Sequence, residues 1–293
     1  MANVKHIVEY LLAKAGYAVA NRLSDRIADN FAVMLGNLGF RLMNSRRAVA
    51  IDNLRQAFGS EFNDEQTGDI TRKVFQNIAR TLIEIARFGR TGEEGVRRIV
   101  VGDGEKYLRQ AREYGKGALL LTAHFGNWEL LGAWVSAVGY QIDHLVGVQH
   151  NPRMHSLINH WRQQMGAGVI EVNRSSMRRV FQSLKANRLI GYAADQHAPA
   201  QNLVLDFFGR RASIAAGPAR FAVRTGCLIL PMMLRREKYD RHILIAREPI
   251  RPPHTGDEEE NVLTITRTYL AFWEEIIRQY PDQWLWTHRR WKM

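Results

Sequence analysis

With 293 residues, 46% of them hydrophobic and 24% charged, the chain has room for one large α/β domain or two small ones, and its composition excludes general disorder. Lys and Arg outnumber Asp and Glu by 41 to 29, a net charge of +12. That excess leads us to expect an anionic partner: nucleic acid, an acidic protein, a phosphorylated substrate or an anionic membrane surface. The one cysteine, Cys227, rules out an intrachain disulfide scaffold and speaks against a cysteine-based zinc site. Set in the apolar run 227–231, it reads as a buried thiol.

No stretch reaches the roughly 18 consecutive apolar residues that a spanning helix needs. Glu9 and Lys14 also interrupt what would be the apolar part of a signal peptide. The chain is therefore expected to stay in the cytosol or to lie on a membrane without crossing it. Val4, Ile7, Val8, Leu11, Leu12 and Ala15 recur with the spacing of an amphipathic helix. Residues 25–43 and 45–58 read as helices too. The first 50 residues carry seven Lys or Arg and three Asp or Glu. Such a segment packs on a core or lies in a membrane interface, and its pattern fits both.

Residues 63–88 read as a long helix, followed by a glycine-broken stretch at 90–95. Short apolar runs then alternate with helical segments. Strands are predicted at 118–122, 142–148, 168–172, 189–194, 228–234 and 242–246, and helices at 103–114, 127–138, 152–165, 175–186, 215–225 and 258–280. This alternation predicts an α/β fold, a mostly parallel central sheet flanked by helices, with residues 1–90 as an N-terminal helical cap on residues 91–293.

The chain lacks a GxSxG nucleophile elbow, a GxxxxGK[ST] phosphate loop and an HExxH metal helix. Gly102-Asp-Gly104 is followed by Tyr107 where a dinucleotide fingerprint needs its third glycine, so it reads as a turn. The informative stretch is residues 119–131, where a buried strand ends at His124, Gly126-Asn127 turns the chain, and an apolar helix begins carrying Glu129. On one continuous helix His124 and Glu129 would point about 140° apart. A bend at Gly126, with Asn127 as helix cap, would bring them together. The carboxyl edge of an α/β sheet is where ligands bind, and a helix N-terminus there favours developing negative charge. With ten histidines, about one H-x4-[D/E] match is expected by chance. His254 and Glu259 form a second one, in a Pro-rich acidic loop with no strand before it. Context selects His124, as a catalytic base or a hydrogen-bonded structural histidine.

His124-Phe-Gly-Asn-Trp-Glu129, following Gly117-Ala-Leu-Leu-Leu-Thr122, resembles the HX4[D/E] block of the lipid A biosynthesis (lauroyl/myristoyl) acyltransferases, within the wider glycerolipid acyltransferase group. Further blocks of the resemblance run from about residue 40 onward: Arg46-Arg47 with Asn53-Leu54, Asn151-Pro152, Arg162 with Gly166, Arg174, Asp195-Gln-His197, Phe207-Phe-Gly209 and the stretch 280–290. Members commonly carry an apolar N-terminal anchor, whereas the segment here is only amphipathic.

The resemblance implies transfer of a fatty acyl group from a thioester to a hydroxyl on a membrane glycolipid, at the cytoplasmic face of the bacterial inner membrane. The implied donor is acyl carrier protein, or acyl-CoA. No metal or cofactor is expected. His124 would remove the hydroxyl proton, and Glu129 would hold one ring nitrogen in the donor tautomer and stabilise the imidazolium. The hydroxyl attacks directly, without a covalent acyl-enzyme. Oxyanion donors would be N–H groups opening the 127–138 helix, or Arg162, which otherwise reads as a helix surface charge. Arg174 would bind an acceptor phosphate or start a solvated helix. Asp195 would be a second carboxylate near the dyad or a strand-end cap. Asn151, placed with these as a substrate-binding candidate, also reads as a turn before a helix with Pro152 at its start. His197 and His288 read as structural. Phe207 and Phe208 line an acyl groove or belong to the core. Trp284, Trp286 and Trp291, interleaved with basic residues, form an interfacial patch or, as preferred here, pack inside. Alternatives are the same chemistry on another lipid acceptor, such as a mannosylated lipid, and a non-catalytic membrane-surface protein. A nucleic-acid-binding role is disfavoured, because the charge is dispersed and no recognition motif is present.

Overall fold

The computed structural model describes residues 2–173, 175–196, 202–253 and 256–291. Five helices come first: α1 (Ala2–Arg22), α2 (Asp25–Leu42), α3 (Asn44–Phe58), α4 (Asp64–Ala86) and α5 (Phe88–Ile99). The alternating part follows as β1 (Val100–Val101), α6 (Glu105–Tyr114), β2 (Ala118–Thr122), α7 (Trp128–Ala137), β3 (Ile142–Val146), α8 (Pro152–Gln163), β4 (Gly168–Glu171), α9 (Ser176–Lys185) and β5 (Leu189–Ala193). Then come β6 (Asn202–Phe207), β7 (Arg210–Ala215), α10 (Gly217–Thr225), β8 (Leu228–Lys238), β9 (Arg241–Ala246), α11 (Glu258–Gln279) and a 3-10 turn at Pro281–Gln283.

Seven strands form one sheet in the order β1-β9-β8-β2-β5-β3-β4, and every pairing in it is parallel except β8 with β9. The α/β architecture expected from the apolar rhythm is thus the one observed. β2 lies centrally and every residue of it is buried, which explains why its sequence is a continuous apolar run rather than an alternation. Its side chains divide by parity. Leu119 and Leu121 join a core layer with α3, α9, α10 and α11; Ala118 and Leu120 join a layer with α6, α7 and residues of α5 and α8. Each fully buried leucine contributes about 1.5–3 kcal/mol.

Helix boundaries follow from their caps. Asn63 and Gln66 form a reciprocal capping box at the start of α4. Asp257 caps α11 ahead of three glutamates that suit its positive end. Asn151 caps α8, accepting from the N–H groups of Arg153 and Met154, with Pro152 in the first turn. One face of α1 packs on α8, Tyr17 stacking on Trp161 at 5.7 Å, while Val8, Leu11 and Leu12 are exposed.

Among the elements that depart from the sequence reading is β1, a two-residue edge strand that was not predicted. The broken stretch at 90–95 is part of α5, bent at Gly92. Residues 202–215 form a two-stranded antiparallel hairpin that the pattern did not predict. Its turn is Phe208-Gly209, both at positive φ (55° and 68°), the geometry of a tight hairpin turn without the usual Asn-Gly signal. The helix placed at 215–225 therefore starts at Gly217, since Ala215 closes β7.

Phe207 and Phe208 are core residues, packed edge-on against Trp284 and Trp286 respectively. Both tryptophans are buried, as preferred from the sequence. Cys227 is a free, buried thiol. No helix among the described residues is long and apolar enough to cross a membrane.

Candidate active site

β2 ends at Thr122, and the chain turns through His124, Phe125, Gly126 and Asn127 into α7. The expected bend is present. Gly126 sits at φ 56°, and a Cβ there would lie 1.8 Å from the Leu234 carbonyl oxygen, so only glycine fits the approach to β8. Asn127 caps α7, its Oδ1 accepting from Leu130 N–H at 2.9 Å.

The turn is gripped from several sides. Gly126 N–H donates to the Gln283 carbonyl at 2.9 Å, Asn127 N–H to Leu234 at 3.2 Å and Leu285 N–H to the His124 carbonyl at 3.0 Å. From α4, Asn77 Nδ2 and Thr81 Oγ1 each donate to the Gly126 carbonyl at 3.0 Å. Asn127 Nδ2 donates to Glu84. Glu84 in turn accepts from Arg236 Nη2 at 2.6 Å. Burial opposes the Glu84 charge, but Arg236 holds its carboxyl below the ordinary value.

His124 meets a carboxylate, and it is Asp195. Asp195 Oδ1 accepts from His124 Nδ1 at 2.6 Å. Its Oδ2 accepts from His124 N–H at 2.9 Å and from Trp284 Nε1 at 2.7 Å. The ring nitrogen assigned from the sequence to Glu129 is thus occupied by Asp195, and strand register explains why. β2 and β5 are parallel neighbours with Thr122 opposite Ala193, so His124 and Asp195 each stand two residues beyond matched strand ends. The other ring nitrogen, Nε2, has the Gln196 amide at 3.4 Å, and Trp128 packs edge-on against the ring at 5.1 Å.

Glu129 points to α8. Arg162 grips it with two bonds, Nε to Oε2 at 2.9 Å and Nη2 to Oε1 at 2.5 Å, and donates a third to Asn159 at 2.8 Å. With side-chain exposures of 14% and 9%, Arg162 and Glu129 form a buried pair, so the surface-charge reading of Arg162 is set aside. The Asn151 amide also donates to the His6 carbonyl and Glu9, at 3.0 and 2.9 Å, tying α8 to α1. Arg174, His197 and the rival His254 lie outside the described residues.

Electrostatics divide the roles. Burial works against an imidazolium at His124, yet the charge and hydrogen bond of Asp195, aided by Glu129, raise its pKa above the ordinary histidine value. Burial likewise opposes the Asp195 charge, and His124 and the Trp284 N–H hold its carboxyl below the usual range. The Arg162 guanidinium lowers Glu129 against its burial. Burial pushes His144, on β3, down to about 4. Both carboxylates are therefore ionised, and His124 holds a proton more tightly than a free imidazole does. Burial pushes down His288, also near Asp195. Among the described residues no group of three or more His, Cys, Asp or Glu is arranged to hold a metal ion.

Sequence reasoning missed the supporting residues Asn77, Thr81, Glu84 and Arg236. They sit in helix and strand stretches where nothing marks a charge as turned inward. Asn53 was noted only as part of a block. Its Nδ2 donates to the Trp286 and His288 carbonyls, both at 2.7 Å, fixing the segment that presents Trp284 to Asp195.

His124 and Asp195 thus form a histidine–carboxylate pair at the carboxyl ends of adjacent parallel strands, beside the capped N-terminus of α7. The sequence pattern of the bacterial lipid A biosynthesis acyltransferases matches residues 2–293, and the chain belongs to that family. It is 25% identical over 264 residues to the lipid A biosynthesis lauroyltransferase of Escherichia coli K12, covering 88% of this chain and 83% of that one. Against the lipid A biosynthesis acyltransferase of Haemophilus influenzae it is 20% identical, covering 90% and 80%. Against the phosphatidylinositol mannoside acyltransferase of Mycolicibacterium smegmatis it is 24% identical, covering 63% and 60%. The chain is an acyltransferase.

Proposed function

We propose that this enzyme moves a fatty acyl chain from an acyl carrier protein thioester to a hydroxyl of a lipid A precursor or related membrane glycolipid. The observation that carries the mechanism is the 2.6 Å contact of Asp195 with His124 Nδ1, which leaves Nε2 as the nitrogen able to take a proton. A hydroxyl is a weak nucleophile near neutral pH. As its oxygen bonds to the thioester carbonyl carbon, its proton passes to Nε2, and Asp195 stabilises the resulting imidazolium. The C–S bond then breaks and the proton goes to the departing thiolate. Glu129, fixed by Arg162, adds negative potential behind the ring. The opening N–H groups of α7, where Asn127 caps only Leu130, face the developing oxyanion. Direct attack fits the surroundings, because among the described residues no serine, threonine or cysteine side chain hydrogen-bonds His124, and Cys227 is buried in the core.

The net charge of +12 suits an acidic carrier protein and an anionic membrane alike. The exposed apolar residues of α1, and Met34, Leu38 and Leu42 of α2, suit peripheral attachment to the cytoplasmic face of the inner membrane. The name of the Mycolicibacterium relative supports a second reading of the acceptor, a mannosylated lipid, with unchanged chemistry.

The test is acyl transfer to extracted bacterial lipids from labelled acyl carrier protein and acyl-CoA, with wild type and His124→Ala. Label should enter a glycolipid with wild type, and the substitution should cost at least about a hundredfold. A near-normal rate for the variant would remove His124 from the mechanism. Labelling from acyl-CoA alone would replace the donor.

A further inference from the structure

Away from His124, a cavity of about 610 Å³ opens between α2, α4, α5 and the β8–β9 turn. This volume lies within the range of small-molecule sites, and its charge is unbalanced. The carboxylates on its wall all have cationic partners: Asp25 pairs with Arg87, Asp29 with Arg80, Glu84 with Arg236, and Asp240 with Lys238. Three further guanidiniums line the same space. Arg90 donates to the Asn21 carbonyl, while Arg26 and Arg98 are exposed and make no hydrogen bond or ion pair with any described residue. Ile83, Phe88, Ile99 and Leu130 supply an apolar part of the wall. Ile27, next to Arg26, is exposed at 53%.

Guanidinium forks match the oxygens of phosphates and carboxylates alike, but three cationic side chains answer the charge of about −1.5 to −2 on a phosphomonoester better than a single carboxylate, and the apolar wall calls for a body that prefers to leave water. We propose that this cavity is a second binding site, taking a phosphomonoester group carried on an apolar body, with Arg26, Arg90 and Arg98 on the phosphate. None of His124, Asp195, Glu129 or Arg162 lines it, so the proposal stands or falls separately from the catalytic reading.

Calorimetric titration of the full chain at fixed ionic strength tests it, using dihexanoyl phosphatidic acid, dihexanoyl phosphatidylcholine and inorganic phosphate as probes. Phosphatidic acid should bind and phosphatidylcholine should not. Arg26→Gln with Arg98→Gln should weaken phosphatidic acid by at least about tenfold. Both side chains are exposed and unpaired, so the fold should persist. The control changes charge equally: Arg109→Gln with Arg267→Gln, two exposed arginines outside the cavity, should leave binding unchanged. Inorganic phosphate binding as tightly, and lost in the same double variant, would support the anion site with free phosphate as its source. Equal weakening by the two double variants, or none by the first, would overturn the site and assign the affinity to the basic surface at large.

Discussion

Replacing Asp195 with asparagine changes the proton on His124 without removing the side chain. The carboxylate accepts three bonds, one from the ring at Oδ1 and two at Oδ2 from the His124 backbone and Trp284. An amide has one acceptor oxygen, so it must choose. With the oxygen on the ring, its NH2 would face two buried donors, each left unpaired at about 1–3 kcal/mol. With the oxygen on the two donors, the NH2 faces Nδ1, which must then be unprotonated. The second arrangement orphans nothing and wins. It places the proton on Nε2, where a base is needed, so the rate of Asp195→Asn should fall about 10²–10⁴-fold with the fold kept. The pH profile supplies the second half of the test. As the proposed base His124 must be neutral, and its pKa is raised, so wild-type kcat/KM should fall as pH drops through a value above the ordinary 6.5 or so. Without the Asp195 charge, burial, the largest influence on the ring, takes over, and the residual activity should lose its acid limb at lower pH. The same pair bears on stability with a definite sign: the raised His124 pKa contributes stability fully present below the unfolded value and lost as pH rises through the folded one. Transfer rates across about pH 5–9, with circular dichroism to check folding, would decide. Wild-type rates in Asp195→Asn, or a slow variant whose acid limb has not moved, would refute the reasoning.

Arg162→Ala leaves Glu129 buried without its partner, and denaturant titration should show a loss of about 3–5 kcal/mol. Gly126→Ala forces a Cβ to within 1.8 Å of the Leu234 oxygen and should release the turn, lowering both stability and transfer rate. Gly209→Ala, at similar φ but with nothing within 4 Å of the added carbon, should cost only about 1–2 kcal/mol and leave transfer intact; equal rate losses in the two would separate turn geometry from catalysis.

Strands buried on both faces read plainly in the sequence because they are continuous apolar runs such as 118–122, and the Gly126-Asn127 bend was visible because only glycine and a capping asparagine do those jobs. The order of strands was not visible. That β5 rather than another strand borders β2 is a tertiary fact, and it alone decides that Asp195, 71 residues away, reaches His124 before Glu129 does. The hairpin at 202–215 was hidden for a local reason, since Phe208-Gly209 replaces the expected turn residues and the small residues after it mimic a helix start. Glu84 was hidden by its helix, whose periodicity marks a side but not what an inward charge will meet there.

The His124 turn is held by residue 77, by residue 234 of β8 and by residues 283–285, while Asp195 depends on residue 284. A ribosome-bound chain that has exposed only its first 230 residues therefore carries the histidine and its carboxylate but lacks the parts that hold them in register. Contacts this distant in sequence close slowly, so catalytic competence should arise in one late step after synthesis of the 283–285 segment, and partly made chains would be inert.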